Sequence, residues 1–123
     1  MSMSRRESDE TAIRLSALEE DLLTLLRGRE LYGLEIIEAT KTTSGGKRSI
    51  GVGSLYPTLH KMEKKGLVRS WWGEEAIEEP SHARRRYYTA TGLGERVLMA
   101  TQLRRQSLAQ WEPTYRIVFG STA

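Results

Sequence analysis

Apolar residues recur at helical spacing along most of this chain. In SALEEDLLTLLRGR, Leu18, Leu22, Leu25 and Leu26 fall three and four positions apart, which puts them on one face of a helix. Ser16, followed three positions on by Glu19, has the form of a capping box, and Gly28 suits the stop. LYGLEIIEATKTT predicts a second, shorter helix with Leu31, Leu34 and Ile37 on one face. SGGKRSIG, with adjacent glycines, predicts a loop. A third helix is predicted from Val52 onward. At about 100° per residue, Val52, Leu55, Leu59 and Met62 form one stripe. Gly53, Ser54, Pro57, His60, Lys61 and Lys64 occupy the opposite arc, Tyr56 lies on the flank, and Gly66 ends the helix in the left-handed conformation.

The period then changes. LVRSWW and RRRYYTA are rich in aromatic and branched residues and predict two strands, joined by the long loop GEEAIEEPSHA. From Thr91 a last helix runs to Glu112, where Pro113 stops it. The order is helix, helix, helix, strand, strand, helix. It predicts a mostly α, α+β fold: a winged helix-turn-helix of three helices and a β-hairpin, with a C-terminal helix appended. The expected division is an arm over residues 1–15, a winged-helix domain over 16–90, a dimerisation helix over 91–112 and a tail over 113–123. In this architecture the third helix can enter a DNA major groove while the hairpin reaches phosphate or minor groove.

Charge sharpens that picture. Lys47 to Trp72 carries six basic residues (Lys47, Arg48, Lys61, Lys64, Lys65, Arg69) against one acid, Glu63. Arg84, Arg85 and Arg86 follow, but Glu74, Glu75, Glu78 and Glu79 stand between the two basic blocks. The competing reading of such blocks is ordinary solvated surface. The chain has no cysteine, so a disulfide framework and a thiolate metal site are excluded. No apolar run is long enough to span a bilayer, and MSMSRRESDE lacks a hydrophobic signal segment. The expected compartment is the cytoplasm, with no membrane partner.

Pro57 interrupts an otherwise regular helix. It forfeits one backbone hydrogen bond and presses on the carbonyl four residues earlier, which belongs to Gly53. It points away from the apolar stripe, so it does not serve packing. A flat apolar surface there suits a thymine methyl group or a sugar.

The stretch GSLYPTLHKMEKKGLV resembles the recognition-helix motif of the PadR family of bacterial winged-helix transcriptional regulators. LYGLEIIEA resembles that family's second-helix motif, and RRRYYTATGLGERVL its second wing strand and following helix. The likeness runs from Ser16 to about Met99. It implies a homodimer binding a palindromic operator in double-stranded DNA, usually as a repressor. It also implies that Ser54, Tyr56, Pro57 and Lys61 lie where the recognition helix meets DNA, and that the wing spans Trp71 to Arg86. The short C-terminal region resembles a subgroup with a single dimerisation helix, and a narrower likeness points to cyanobacterial members that extend the circadian period.

The chain contains no asparagine, and Gln102, Gln106 and Gln110 all lie in the last helix. The third helix therefore lacks the amide that pairs with adenine, and it has no arginine for guanine. Base contacts are left to Ser54, Thr58, His60 and Lys61. Phosphate contacts fall to Lys47, Arg48, Lys64, Tyr32 and Tyr56, with Arg84 and Arg86 on one face of their strand. For the tyrosines, burial or stacking is the competing role; for the arginines, pairing with the acidic loop.

In the last helix Leu93, Val97, Ala100, Leu108 and Trp111 fall near one side and form the expected dimer surface, because an exposed apolar stripe needs cover. The alternative packs the stripe on the first helix of the same chain. In the family, some members bind a small-molecule effector between these helices, a role open to Trp111. No catalysis and no cofactor are expected. Gly46-Lys47 is followed by Arg48 and preceded by Lys41 where a phosphate loop needs glycine, GLGERV lacks a third glycine, and no metal-binding or nucleophile-elbow motif occurs. Three rival readings remain at this stage: a protein-interaction module on the same fold, a ligand-responsive sensor, and a non-specific RNA or single-strand binder, which would need exposed aromatic stacking platforms.

Overall fold

The computed structural model describes residues 12–74 and 84–114. Its elements are α1 (Ala17–Leu26), β1 (Leu31–Tyr32), α2 (Gly33–Thr43), α3 (Val52–Lys64), β2 (Val68–Trp72), β3 (Arg86–Ala90) and α4 (Gly92–Gln110). The mostly helical α+β order and the winged helix-turn-helix agree with expectation. Most of the acidic loop, residues 75–83, lies outside the described residues, as do 1–11 of the arm and 115–123 of the tail.

The capping box opens α1 as its sequence dictates. Ser16 Oγ accepts from the Glu19 backbone N–H at 3.1 Å, and Glu19 Oε1 accepts from the Ser16 N–H at 2.9 Å. Leu22 and Leu26 are fully buried and Leu18 and Leu25 pack at the edge of the core. Leu23 is buried too, because α1 is covered on a second side by α4.

Two expectations need correction in α2 and α3. Leu31 and Tyr32 form a short strand that pairs with β3, so the helix begins only at Gly33. Its buried residue is then Ile36, and Leu34 is 69% exposed. In α3, Leu55, Leu59 and Met62 are buried as expected, but Val52 is 58% exposed. Val52 starts the helix beyond the edge of the core, and Ile50 packs there in its place. Burying a leucine or methionine fully contributes about 1.5–3 kcal/mol relative to exposure, so this α3 stripe is the main hold on the helix.

The end of α3 is a complete Schellman motif. Gly66 has φ +78°, its N–H donates to Glu63 O at 3.0 Å, and the Leu67 N–H donates to Met62 O at 2.9 Å. The following strand joins a three-stranded antiparallel sheet in the order β1-β3-β2, not a two-stranded hairpin. Tyr87 stands opposite both Tyr32 and Trp71, and Tyr88 opposite both Leu31 and Ser70. Thr91 caps α4 by accepting from the Gly94 N–H at 3.0 Å, and its hydroxyl donates to Gly66 O. Gly94 itself lies so close to the Leu67 carbonyl that a Cβ would overlap it.

In α4 the residues turned into the core are Gly94, Val97, Leu98 and Thr101. Val97 is 1% exposed, and Leu93 packs partly against the same core. Val97 therefore lies inside rather than on an outer surface, in line with the alternative that packs the stripe on α1, while Leu93 is half-buried. Toward the end of α4, Leu108 and Trp111 lie exposed, as do Met99 and Leu103 on the far side.

Ion pairs tie α1 to its neighbours. Lys65 Nζ lies 3.2 Å from Glu19 Oε2, and Arg105 Nη1 lies 2.6 Å from Glu20 Oε1. Burial pushes the Glu19 carboxyl up, but the Ser16 N–H and the Lys65 ammonium outweigh it and hold it below its ordinary value.

Gly94→Ala is expected to lower stability by about 1–3 kcal/mol, the usual penalty of overpacking, measured by urea unfolding; an unchanged midpoint would mean α4 can move off Leu67 freely. Because the Glu19 carboxyl is depressed in the folded state, its stabilisation is complete above the unfolded value near 4.5 and is lost as pH falls through the lower folded value. Glu19→Gln should therefore flatten the acid limb of a Tm-versus-pH profile, and an unchanged limb would count against the pair.

Candidate nucleic-acid interface

With Leu55, Leu59 and Met62 turned inward, the outer arc of α3 is fixed by geometry. Gly53, Ser54, Tyr56, Pro57, His60, Lys61 and Lys64 are all exposed and Thr58 is half-buried. Pro57 lies inside the helix on this arc, as expected. A Cβ built on Gly53 would meet nothing within 4 Å, so the carbonyl that faces the proline has room to adjust. The Thr58 hydroxyl donates to Ser54 O at 2.7 Å, which leaves its oxygen as an acceptor only. The N-cap, Gly51, offers no side-chain acceptor to the first amides of α3.

The loop ahead of α3 is ordered by one serine. Ser44 Oγ accepts from the Arg48 N–H at 2.9 Å and donates to Arg48 O at 2.9 Å. Gly45 and Gly46 take positive φ, and the Gly46 N–H closes α2 on Lys41 O at 2.8 Å. This turn presents Lys47 and Arg48 as exposed cations on the approach to α3.

Tyr56 does more than flank the arc. Its hydroxyl sits where a Cβ on Gly33 would be, so the ring bridges α3 to the start of α2. The glycine in LYGLEIIEA and the tyrosine in GSLYPTLHK thus form one contact, which neither stretch reveals alone. Tyr32 lies edge-on to Tyr87 at 5.7 Å and carries the Arg85 guanidinium 4.6 Å above its ring. Tyr87 stacks in turn on Trp71 at 6.1 Å, under Arg69. One face of the sheet is therefore an aromatic row.

The other sheet face meets α3. Between them runs a cleft lined by Tyr56, His60 and Glu63 of α3, by Tyr32 and Leu34, and by Trp72, Arg84, Arg85, Arg86 and Tyr88. Burial raises the Tyr88 hydroxyl above its ordinary value, the nearby Arg86 acting weakly in the opposite sense, so it stays protonated. Arg86 is engaged within the cleft. Its Nη2 lies 3.3 Å from Glu63 Oε1, and its Nε and Nη2 donate to Ser70 Oγ at 3.1 and 2.8 Å. The Ser70 hydroxyl donates to Glu63 Oε2. Arg86, expected as a phosphate contact, carries an ion pair to the acid of α3, a partner that the sequence offered no means of pairing with it, and 40% of its side chain stays exposed. Arg84 lies before β3 and donates from Nε to Gly73 O at 3.1 Å, its side chain exposed.

Residues 22–100 match the model of the Transcriptional regulator PadR-like family. The chain belongs to this family. A PadR-like transcription factor from Bacteroides fragilis is 25% identical, with 85% of this chain and 87% of that one covered and a TM-score of 0.64. PadR from Bacillus subtilis, solved in complex with operator DNA, shares the fold at 24% identity and a TM-score of 0.57, over 81% of this chain and 51% of that one. An uncharacterized protein of Lysinibacillus sphaericus is 26% identical over 66% of this chain and 71% of its own length. Among the described residues, no group of three or more His, Cys, Asp or Glu side chains could hold a metal ion, and no helix is long and apolar enough to cross a membrane.

Proposed function

We propose that the chain is a cytoplasmic transcriptional regulator that binds a palindromic operator in double-stranded DNA as a homodimer and represses. The observation that carries it is the outer arc of α3. A helix anchored by Leu55, Leu59 and Met62 turns Ser54, Pro57, Lys61 and Lys64 to solvent, with Lys47 and Arg48 just ahead of it. That is the arrangement of a helix entering a major groove.

Lys61, Ser54, Thr58 and His60 meet base edges, and Pro57 meets a thymine methyl or a sugar. Lys47, Arg48, Lys64 and Arg84 neutralise phosphates, and the Tyr32 and Tyr56 hydroxyls donate to them. With no arginine or amide on the arc, phosphate contacts and DNA shape carry much of the recognition. Several near-invariant base pairs under α3 in a binding-site selection would contradict this division.

The homodimer rests on the exposed part of α4. Leu108 is 69% and Trp111 70% exposed, Met99 and Leu103 lie exposed on the far side, and Ala100 is half-buried. Apolar side chains in that number on one helix call for a partner. Trp111 is taken as an interface side chain; quenching of its fluorescence by a small molecule would add an effector. None of the relatives named above supports the narrower circadian likeness.

The first test is fluorescence anisotropy with the duplex upstream of the chain's own gene, against a scrambled duplex, across a salt series. Preference for the upstream duplex with a steep salt dependence is expected, and equal binding would mean a non-specific binder. No binding at low salt would turn attention to protein partners. In the same assay Lys61→Ala should weaken binding and reduce the salt slope by about 1; an unchanged slope and affinity would remove Lys61 from the interface. Leu103→Glu with Leu108→Glu should convert a dimer to a monomer in sedimentation experiments, and a persisting dimer would place the interface elsewhere.

A further inference from the structure

We propose that Glu63 masks Arg86 and so sets how much of the wing's charge reaches DNA. Glu63 is the only acid between Val52 and Lys65, in the most basic part of the chain. It is placed on the side of α3 that faces the cleft, beside His60 and toward β2 and β3. There one carboxylate oxygen pairs with Arg86 Nη2 at 3.3 Å and the other accepts from the Ser70 hydroxyl. Ser70 Oγ also accepts two bonds from Arg86, so the three side chains close a ring across helix and sheet. The Arg86 guanidinium lies 5.3 Å over the Trp72 ring on the same side.

The ring has a charge consequence. Arg86 retains 40% side-chain exposure and Glu63 30%, so the pair sits at the open rim of the cleft, close to where a phosphate backbone would pass. An exposed pair of this kind contributes little to stability. A cation already paired with a carboxylate releases few counterions on meeting DNA, and each phosphate neutralised in full adds about 0.9 to the salt slope. Glu63 thereby acts through Arg86, as a positioning residue that lowers affinity. It keeps the wing from gripping any duplex by charge alone, and leaves the outer arc of α3 to choose the site.

This inference rests on the DNA-binding reading above. The test is the salt dependence of anisotropy titrations on wild type, Glu63→Gln, and Glu63→Gln with Arg86→Gln. Glu63→Gln should bind more tightly at low salt, with a slope steeper by about 0.9, and with a narrower margin between operator and scrambled duplex. The double variant should lose that gain. A purely structural role for Glu63 predicts weaker binding with no change of slope, and that result overturns the proposal. A gain that survives in the double variant also overturns it, because the effect would then be the acid's own repulsion. Ser70→Ala, which removes the bridge and leaves the acid, should shift the slope in the same direction by less, and serves if Glu63→Gln does not fold. Wild type that binds no duplex fails the DNA reading itself; wild type that binds with a slope shared by Glu63→Gln fails the masking alone.

Discussion

The fold turns on the contact between the end of α3 and the start of α4. Three residues make it, mostly through their backbones. Gly66 reverses the chain in a left-handed turn, Thr91 fastens to both Gly66 and Leu67, and Gly94 lets α4 approach the Leu67 carbonyl with no side chain between. No side-chain packing could bring the two segments so close. Because α3, β2 and α4 all meet at this point, the inclination of α3 relative to α4 is set largely by main-chain geometry. The hydrophobic stripe holds α3 down; the glycine joint decides which way it points.

Polar contacts refine that frame. Glu19 and Glu20 are neighbours on α1, yet one engages Lys65 at the end of α3 and the other Arg105 on α4. Successive residues on a helix point about 100° apart, so one helix can address two partners. Thr89 adds a third tie by donating to Arg29 O at 2.7 Å, where the chain leaves α1. Interactions of this strength do not make a fold, but they remove its freedom to slide.

Periodicity made much of this legible. The Ser16–Glu19 box, the Leu55, Leu59 and Met62 stripe and the Gly66 stop are local features, and local sequence determines them. What was not legible depended on partners distant in the chain. β1 is too short to leave a pattern, and only its pairing with β3 makes it a strand, which in turn shifts the start of α2 and exposes Leu34. In α4 the residues facing α1 and those facing solvent are both apolar, so composition could not separate Val97 from Leu108. The site was read in the same uneven way. The outer arc follows from helical geometry, whereas the Glu63, Ser70 and Arg86 ring joins positions far apart in sequence. The overlap of Tyr56 with the Gly33 position could be inferred only from two motifs placed side by side.

The exposed half of α3 makes few contacts with the rest of the molecule. Ser54, Pro57 and Lys61 face away from the core, and nothing stands within 4 Å of a Cβ on Gly51 or Gly53. Substitutions at such exposed positions usually change stability by less than about 0.5 kcal/mol. The exposed positions and the positions that fold are therefore different residues on the same turns of one helix. On the proposed reading of α3, a gene duplicate of this chain could drift to a new target by changing the first set alone, at nearly constant stability, and the scaffold would carry each new specificity without being rebuilt.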